Sequence, residues 1–389
     1  MSQYNYIAPL PRDLWLLDPK WIFLNNGSFG ACPKPVFEKY QWWQREMERQ
    51  PVEFIGRRLP GLLADARAKL AAFLNTQAHC VVYVTNITVG ANIAARSIPL
   101  KAGDEVLTTD QEYGAILNTF DYICGKAGAT LKRQHIAMPV TTREAFVEQF
   151  WSGVTPRTRA VYLSHIAAPT ALIFPVKEIC RRARAAGILS FVDGAHAVGQ
   201  LPLDMADIGA DFYSSNLHKW CCAPRGSAFL YARPEVHHLV EPLTVSFGYD
   251  PKKPNERRLV EYLEYIGTRD CSSFLAVPTA LEFLAEHNWE KVRLQCHELA
   301  RQFRERMANL TGLAPLSPDS TDWFMQMAAA PLPPCNYGRV GERLRNDYHI
   351  EIPVGANIRL SAQAFVTQGD VDILLGALEK ILPEEKTTQ

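Results

Sequence analysis

Lys219 sits in the run SSNLHKW (Ser214–Trp220), after an apolar stretch and before Pro224-Arg225-Gly226. A lysine at such a place would ordinarily be a solvated cation. It has company, however. Asp193 lies 26 residues earlier, where it closes the apolar run ILSFVD and leads into Gly194-Ala195-His196. A carboxylate at the C-terminal end of a buried parallel strand stands where open α/β sheets bind their ligands. An amine and a carboxylate on neighbouring strand ends are what pyridoxal phosphate chemistry requires. The amine forms a Schiff base with the aldehyde, and the carboxylate pairs with the ring nitrogen and keeps it protonated, so that the ring can accept electrons from Cα. The phosphate needs donors, which a helix N-terminus provides. TNITVGAN, after the apolar run CVVYV, offers the Thr88 hydroxyl and the backbone N–H groups of Ile87 and Thr88. Asn216 and His218 flank the lysine and add two further polar contacts.

The elements that must hold these groups are legible as alternating patterns between about residues 60 and 231. GLLADARAKLAAFL places Leu62, Leu63, Ala66, Leu70 and Phe73 on one helical face. Strands are expected at Cys80–Val84, DEVLTT, TLKRQHI, Arg159–Ile166, Ile188–Asp193 and GSAFLYA, with helices around 143–151 and 175–186. Short apolar strands alternating with helices argue for an α/β domain with a mainly parallel sheet covered on both faces. Beyond Asp250 a polar, proline-bearing stretch, DPKKPNERR, leads into a long helical region from about Ala276 to Leu310 and a shorter α+β tail. Residues 21–265 therefore read as a large domain, with 1–20 and 266–389 forming a smaller one.

The chain has 389 residues, room for two cores at roughly 150 residues per domain. Its 41 Lys plus Arg balance 41 Asp plus Glu, which gives no electrostatic reason to expect a nucleic acid or an anionic membrane as partner. No run approaches the roughly 20 apolar residues of a membrane span. MSQYNYIAPLPRDLW lacks the basic and apolar regions of a secretory signal. The nine cysteines are odd in number and show neither disulfide-framework nor metal-knuckle spacing, so reduced thiols in the cytoplasm and no metal are expected.

The seven stretches LNNGSFG (Leu24–Gly30), TNITVGAN, QEYGAILN, SHIAAPTALIFPV, DGAHAVGQ, SSNLHKW and IRLSAQ resemble, in order and approximate spacing, the class V aminotransferase superfamily. They look most like its isopenicillin N epimerase-like branch, and the likeness runs from Phe23 to about Phe365. The resemblance implies the fold-type I architecture, pyridoxal phosphate as cofactor and a homodimer with shared active sites. By matching position, Lys219 is the Schiff-base lysine and Asp193 the partner of the ring nitrogen. His196 takes the place of a glutamine near the phenolic oxygen, and Tyr113 that of the aromatic residue stacked on the ring. Thr88, Asn216 and His218 match phosphate contacts, and Thr268, in YIGTRD, resembles a threonine that reaches the phosphate from the other subunit. Arg359 matches the arginine that clamps the substrate α-carboxylate, a task suited to its fork. Asn26 and His165 match pocket-lining positions. Taken singly, Tyr113 is equally a core aromatic and Thr88 an ordinary helix cap. The sequence also departs from the pattern. Ala167-Ala168 replaces a Thr-Ser pair, and SAQAFVT replaces Ser-Gln followed by Tyr-Asn.

A persulfide-type desulfurase needs a thiolate shortly before the carboxylate-binding arginine. Tyr348–Arg359 contains no cysteine, and Cys335 lies too far upstream. C–S β-elimination from an S-substituted cysteine demands least of the residues present: a base, an electron sink and a leaving group. Epimerisation needs a second acid on the opposite face, for which no residue stands out. A decarboxylating, oxidatively deaminating or aminotransferase variant is a further alternative. A non-catalytic binding protein that keeps the fold belongs to another class, and the retained Lys219 and Asp193 argue against it.

Overall fold

The computed structural model describes residues 6–250, 252 and 258–387. The polar segment DPKKPNERR, read as a connection, falls mostly outside the described residues. Eleven strands are described: β1 Ile22–Phe23, β2 Val81–Val84, β3 Glu105–Thr109, β4 Thr130–Gln134, β5 Thr158–Ser164, β6 Leu189–Asp193, β7 Phe212–Asn216, β8 Ala228–Ala232, β9 Met327–Pro331, β10 Ile350–Glu351 and β11 Asn357–Ser361. Seven of them form one sheet in the order β2-β8-β7-β6-β5-β3-β4.

The sheet is mainly parallel because helices return the chain to the same edge between successive strands. β8 is the exception, antiparallel to both β7 and β2. Its connection from β7 covers only 217–227 and is closed by the Leu217 N–H on the Ser227 carbonyl at 3.0 Å. A short return of this kind can only make a hairpin. That same hairpin loop carries His218 and Lys219.

Alternation along the strands divides the interior into two layers. Val82, Val84, Tyr162, Phe191 and Phe212 pack on one face, where Phe120 stacks on Tyr162 with ring centroids 4.8 Å apart. Val81, Tyr83, Val161, Leu163, Val192 and Tyr213 pack on the other. Strands buried on both faces read as continuous apolar runs, which is why β2, β5 and β6 were visible in the sequence. β4, at the sheet edge, is partly exposed and carries Lys132 and Arg133, charges that discourage further strand pairing.

One helical expectation needs correction. In the helix Leu59–Phe73 the buried residues are Leu59, Leu63, Ala66, Arg67, Leu70 and Ala71, whereas Phe73 is exposed. The long helical region beyond Ala276 consists of two helices, Val277–Glu286 and Trp289–Thr311, separated where Asn288 takes a left-handed φ of 47°. The C-terminal part holds the β9–β11 antiparallel pair, and β10 pairs in parallel with β1. Residues 22–24 thus hydrogen-bond to the C-terminal part rather than to the large sheet.

Candidate active site

The strand register sets one level for the site. Ser164 at the end of β5 pairs with Asp193 at the end of β6, and Asp193 pairs with Ser214 of β7. Above this edge lies a cavity of about 350 Å³. Nine of the residues expected at the site line it: Ile87, Thr88, Tyr113, Asp193, His196, Asn216, His218, Lys219 and Arg359.

Asp193 is 3% exposed, and the one described hydrogen bond to its carboxyl is from the Ala195 N–H to Oδ1 at 2.8 Å. Burial pushes its carboxyl up to about 6, with the Ala195 N–H and the Lys219 charge pulling the other way. Lys219 shows the mirror effect. Burial draws its amine down to about 8 despite the attraction of Asp193, and the charge of Arg359 adds to the fall. A buried carboxylate that has so few donors favours a cationic N–H brought in by a ligand.

Nζ of Lys219 lies 3.4 Å from Nε2 of His196. The indole of Trp220 donates to Nδ1 of His196 at 3.3 Å. Since an indole nitrogen can only donate, Nδ1 is the acceptor, and the proton of the neutral ring sits on Nε2, facing the amine. Burial, the Lys219 charge and the Arg359 charge together hold His196 neutral. His218 is likewise lowered, to about 4, by burial first and then by Lys219, and its Nδ1 has no partner.

The helix Ile87–Ser97 points its N-terminus at the cavity. Asn86 caps it by accepting from the Val89 N–H at 3.0 Å, and Asn216 Oδ1 accepts from the Ile87 N–H at 3.0 Å. The expected donation by the Ile87 backbone is therefore already spent within the protein. Thr88 keeps its N–H and hydroxyl for a ligand, and Asn216 acts first as a brace between β7 and the helix. Arg359 comes from β11 and is anchored by Nη1 donating to the Ala168 carbonyl at 2.6 Å, while its Nε has no partner.

Three expected residues lie outside the cavity lining. Asn26 is buried and donates through Nδ2 to the Lys219 carbonyl at 2.9 Å, so it holds the lysine's main chain instead of facing a ligand. His165 is buried behind Asp193. Its N–H donates to the Asp193 carbonyl at 2.8 Å, its ring meets the Tyr213 hydroxyl at 3.0 Å, and burial lowers it to about 3. Thr268 is exposed on the loop after the helix Arg258–Leu263 and does not reach the cavity of its own chain.

The sequence reading missed the lining residues Gly27, Ser28, Phe29, Asn86, Ser164, Ile166 and Ala195. Ser164 could have been found from its place at the end of β5, level with Asp193. The turn 26–29 could not, because it reaches the site only through packing. Its fit shows at Gly30, whose φ of 71° and position exclude a side chain: a Cβ there would fall 1.6 Å from the His218 carbonyl.

The donor set fits pyridoxal phosphate. Asp193 offers a buried carboxylate for a protonated ring nitrogen, Lys219 a partly neutral amine and His196 an N–H. Thr88 and the unpartnered Nδ1 of His218 remain available for phosphate.

Comparison with known proteins agrees. The family described as Aminotransferase class-V matches residues 23–371. An isopenicillin N epimerase from Amycolatopsis lactamdurans is 33% identical, covering 95% of this chain and 97% of that one. A putative L-cysteine desulfhydrase from Oryza sativa subsp. japonica is 32% identical over 91% of this chain and 77% of its own length. Among solved structures, the complex of a cystine C–S lyase with cysteine persulfide superimposes with a TM-score of 0.78 at 21% identity, over 93% of this chain and 98% of that one.

Proposed function

The chain belongs to the class-V aminotransferase family, and from that premise we propose that it is a C–S β-lyase acting on an S-substituted L-cysteine. The net reaction takes RS–CH2–CH(NH3+)–COO− and water to a thiol, pyruvate and ammonium. Bound pyridoxal phosphate supplies the sink for the electron pair left at Cα. Lys219 would hold the cofactor through its amine and, once displaced by the substrate amine, take the Cα proton. Asp193 would keep a proton on the ring nitrogen. Arg359, anchored on the Ala168 carbonyl, would hold the substrate carboxylate with its remaining N–H groups. His196 would donate its Nε2–H to an oxygen beside the lysine, and Thr88 and His218 would hold the phosphate.

One observation carries the reading. Among the described lining residues, Lys219 is the one amine and is lowered to about 8, both imidazoles are held neutral, and no thiol lines the cavity. That set suffices for elimination, whereas two-faced epimerisation needs a second acid and persulfide transfer needs a cysteine. Epimerisation remains the second reading because of the likeness to isopenicillin N epimerase. The deciding experiment follows S-methyl- and S-benzyl-L-cysteine for thiol, pyruvate, ammonia and deuterium uptake at Cα. Equal thiol, pyruvate and ammonia support the lyase. Inverted, deuterated substrate without thiol overturns it.

We also infer a homodimer in which Thr268, exposed and away from its own cavity, serves the partner's site. No described helix is long and apolar enough to cross a membrane. The nine cysteines, all unpaired, suit a reducing compartment such as the cytoplasm.

A further inference from the structure

Glu112 is 5% exposed and has no part in the chemistry above. Its carboxyl nevertheless makes three contacts. Oε1 accepts from Thr109 Oγ1 at 2.7 Å, and Oε2 accepts from the Ser164 N–H at 2.9 Å and from Ser164 Oγ at 2.5 Å. Thr109 ends β3 and Ser164 ends β5. The hydroxyl of Tyr162 lies beside the same carboxyl.

The contacts fall at a weak point of the sheet. β3 and β5 pair from Glu105 with Thr158 to Leu107 with Val161, and the ladder stops there. From Thr108 onward β3 pairs only with β4, while Tyr162–Ser164 pair only with β6. The two strands part at their C-terminal ends, where the order of connection reverses and ligands bind in open α/β sheets. A single carboxyl closes the gap that the backbone leaves.

The residue that follows gives the bridge its purpose. Tyr113 lines the cavity, is half exposed, and caps the helix Gly114–Ala127 without a side-chain hydrogen bond. Its carbonyl is held by the Ile116 and Leu117 N–H groups, which fixes the helix side of the residue. On the strand side the fixed point is Glu112. We propose that Glu112 is a positioning residue that ties the ends of β3 and β5 together and thereby sets the Tyr113 ring over the cofactor. This rests on reading the cavity as a pyridoxal phosphate site.

The test uses cofactor-free and cofactor-loaded protein and two readouts: the visible circular dichroism of bound pyridoxal phosphate, which reports the asymmetry around its ring, and retention of the cofactor in dialysis. Glu112→Ala should lose most of the visible dichroism and retain the cofactor roughly tenfold less well. Glu112→Gln, whose amide oxygen can accept from the Ser164 N–H and hydroxyl while its NH2 donates to the Thr109 hydroxyl, should stay within about twofold of wild type. Thr109→Val, which removes one donor and leaves the carboxyl in place, should fall between them and carries the test if Glu112→Ala does not fold. Combining Glu112→Ala with Tyr113→Ala should cost little beyond Tyr113→Ala alone. Wild-type dichroism in both Glu112→Ala and Thr109→Val would overturn the proposal. So would a Gln variant as damaged as the Ala variant, or additive losses in the double variant. Failure of the wild-type chain to take up pyridoxal phosphate would overturn the reading of the site, and the proposal with it.

Discussion

Replacing Asp193 by Asn should stabilise the cofactor-free protein at neutral pH while impairing its loading. In the folded chain burial raises the Asp193 carboxyl from an ordinary 3.8 to about 6. A group whose folded value is raised contributes stability that is fully present below its unfolded value and is lost as pH rises through the folded one. The loss therefore develops between about pH 4 and 6. At about 1.4 kcal/mol per tenfold change in proton affinity, it amounts to about 3 kcal/mol. Asn fills the same space without the charge, so it should recover up to that amount at pH 7.5 and nothing at pH 4. The attraction of Lys219 is already contained in the value of 6, and burial outweighs it on both partners. Urea unfolding of cofactor-free wild type and variant, repeated from pH 4 to 8, gives the difference directly. With pyridoxal phosphate added the order should reverse, because the carboxylate then gains its cationic partner. A variant that is less stable than wild type at pH 7.5 without cofactor, or a difference independent of pH, would refute the reasoning.

Three further outcomes are expected. With its amine lowered to about 8, Lys219 is neutral in about one molecule in ten at pH 7, against roughly one in three thousand for an ordinary lysine. The rate of pyridoxal phosphate uptake, followed by absorbance, should rise with pH up to about 8 and then level off; a rise that continues to pH 10 would contradict the assignment. Arg359→Lys keeps a charge but loses the fork and the anchor on Ala168, so KM for the amino acid should rise roughly tenfold with a smaller change in kcat; an unchanged KM would place the carboxylate elsewhere. Mixing Lys219→Ala subunits with Thr268→Ala subunits should restore part of the activity that each lacks, and a monomer in sedimentation would exclude the shared site.

The large sheet was legible where its strands are buried on both faces. Continuous apolar runs mark β2, β5 and β6, and the polar residues that end them, Asp193 above all, mark the edge where ligands bind. What the sequence could not carry was contact across the fold. Asn26 and His165 were read as facing a ligand, yet their side chains serve the main chain of Lys219 and the ring of Tyr213. Neither orientation follows from spacing. The Ile87 N–H was taken as a phosphate donor from its place in a first helical turn. Asn216 claims it from 129 positions away in the chain.

The two alanines at 167 and 168 show why side-chain comparison misleads at such sites. Standing in place of a Thr-Ser pair, they remove two hydroxyls. Ala167 is fully buried, with its N–H on the Leu172 carbonyl, and does not line the cavity. Ala168 lines it, and its contribution is a carbonyl oxygen that holds the guanidinium of Arg359. Every residue supplies that group, so the anchor survives any substitution that keeps the backbone in place. With methyl groups at 167 and 168 and Ile166 beside them, the segment offers a leaving sulfur no hydroxyl, while the one charged clamp stays oriented. A thiolate departing into such surroundings takes its proton from the Lys219 ammonium or from solvent, which returns the burden of proton transfer to the one amine of the site, lowered to about 8.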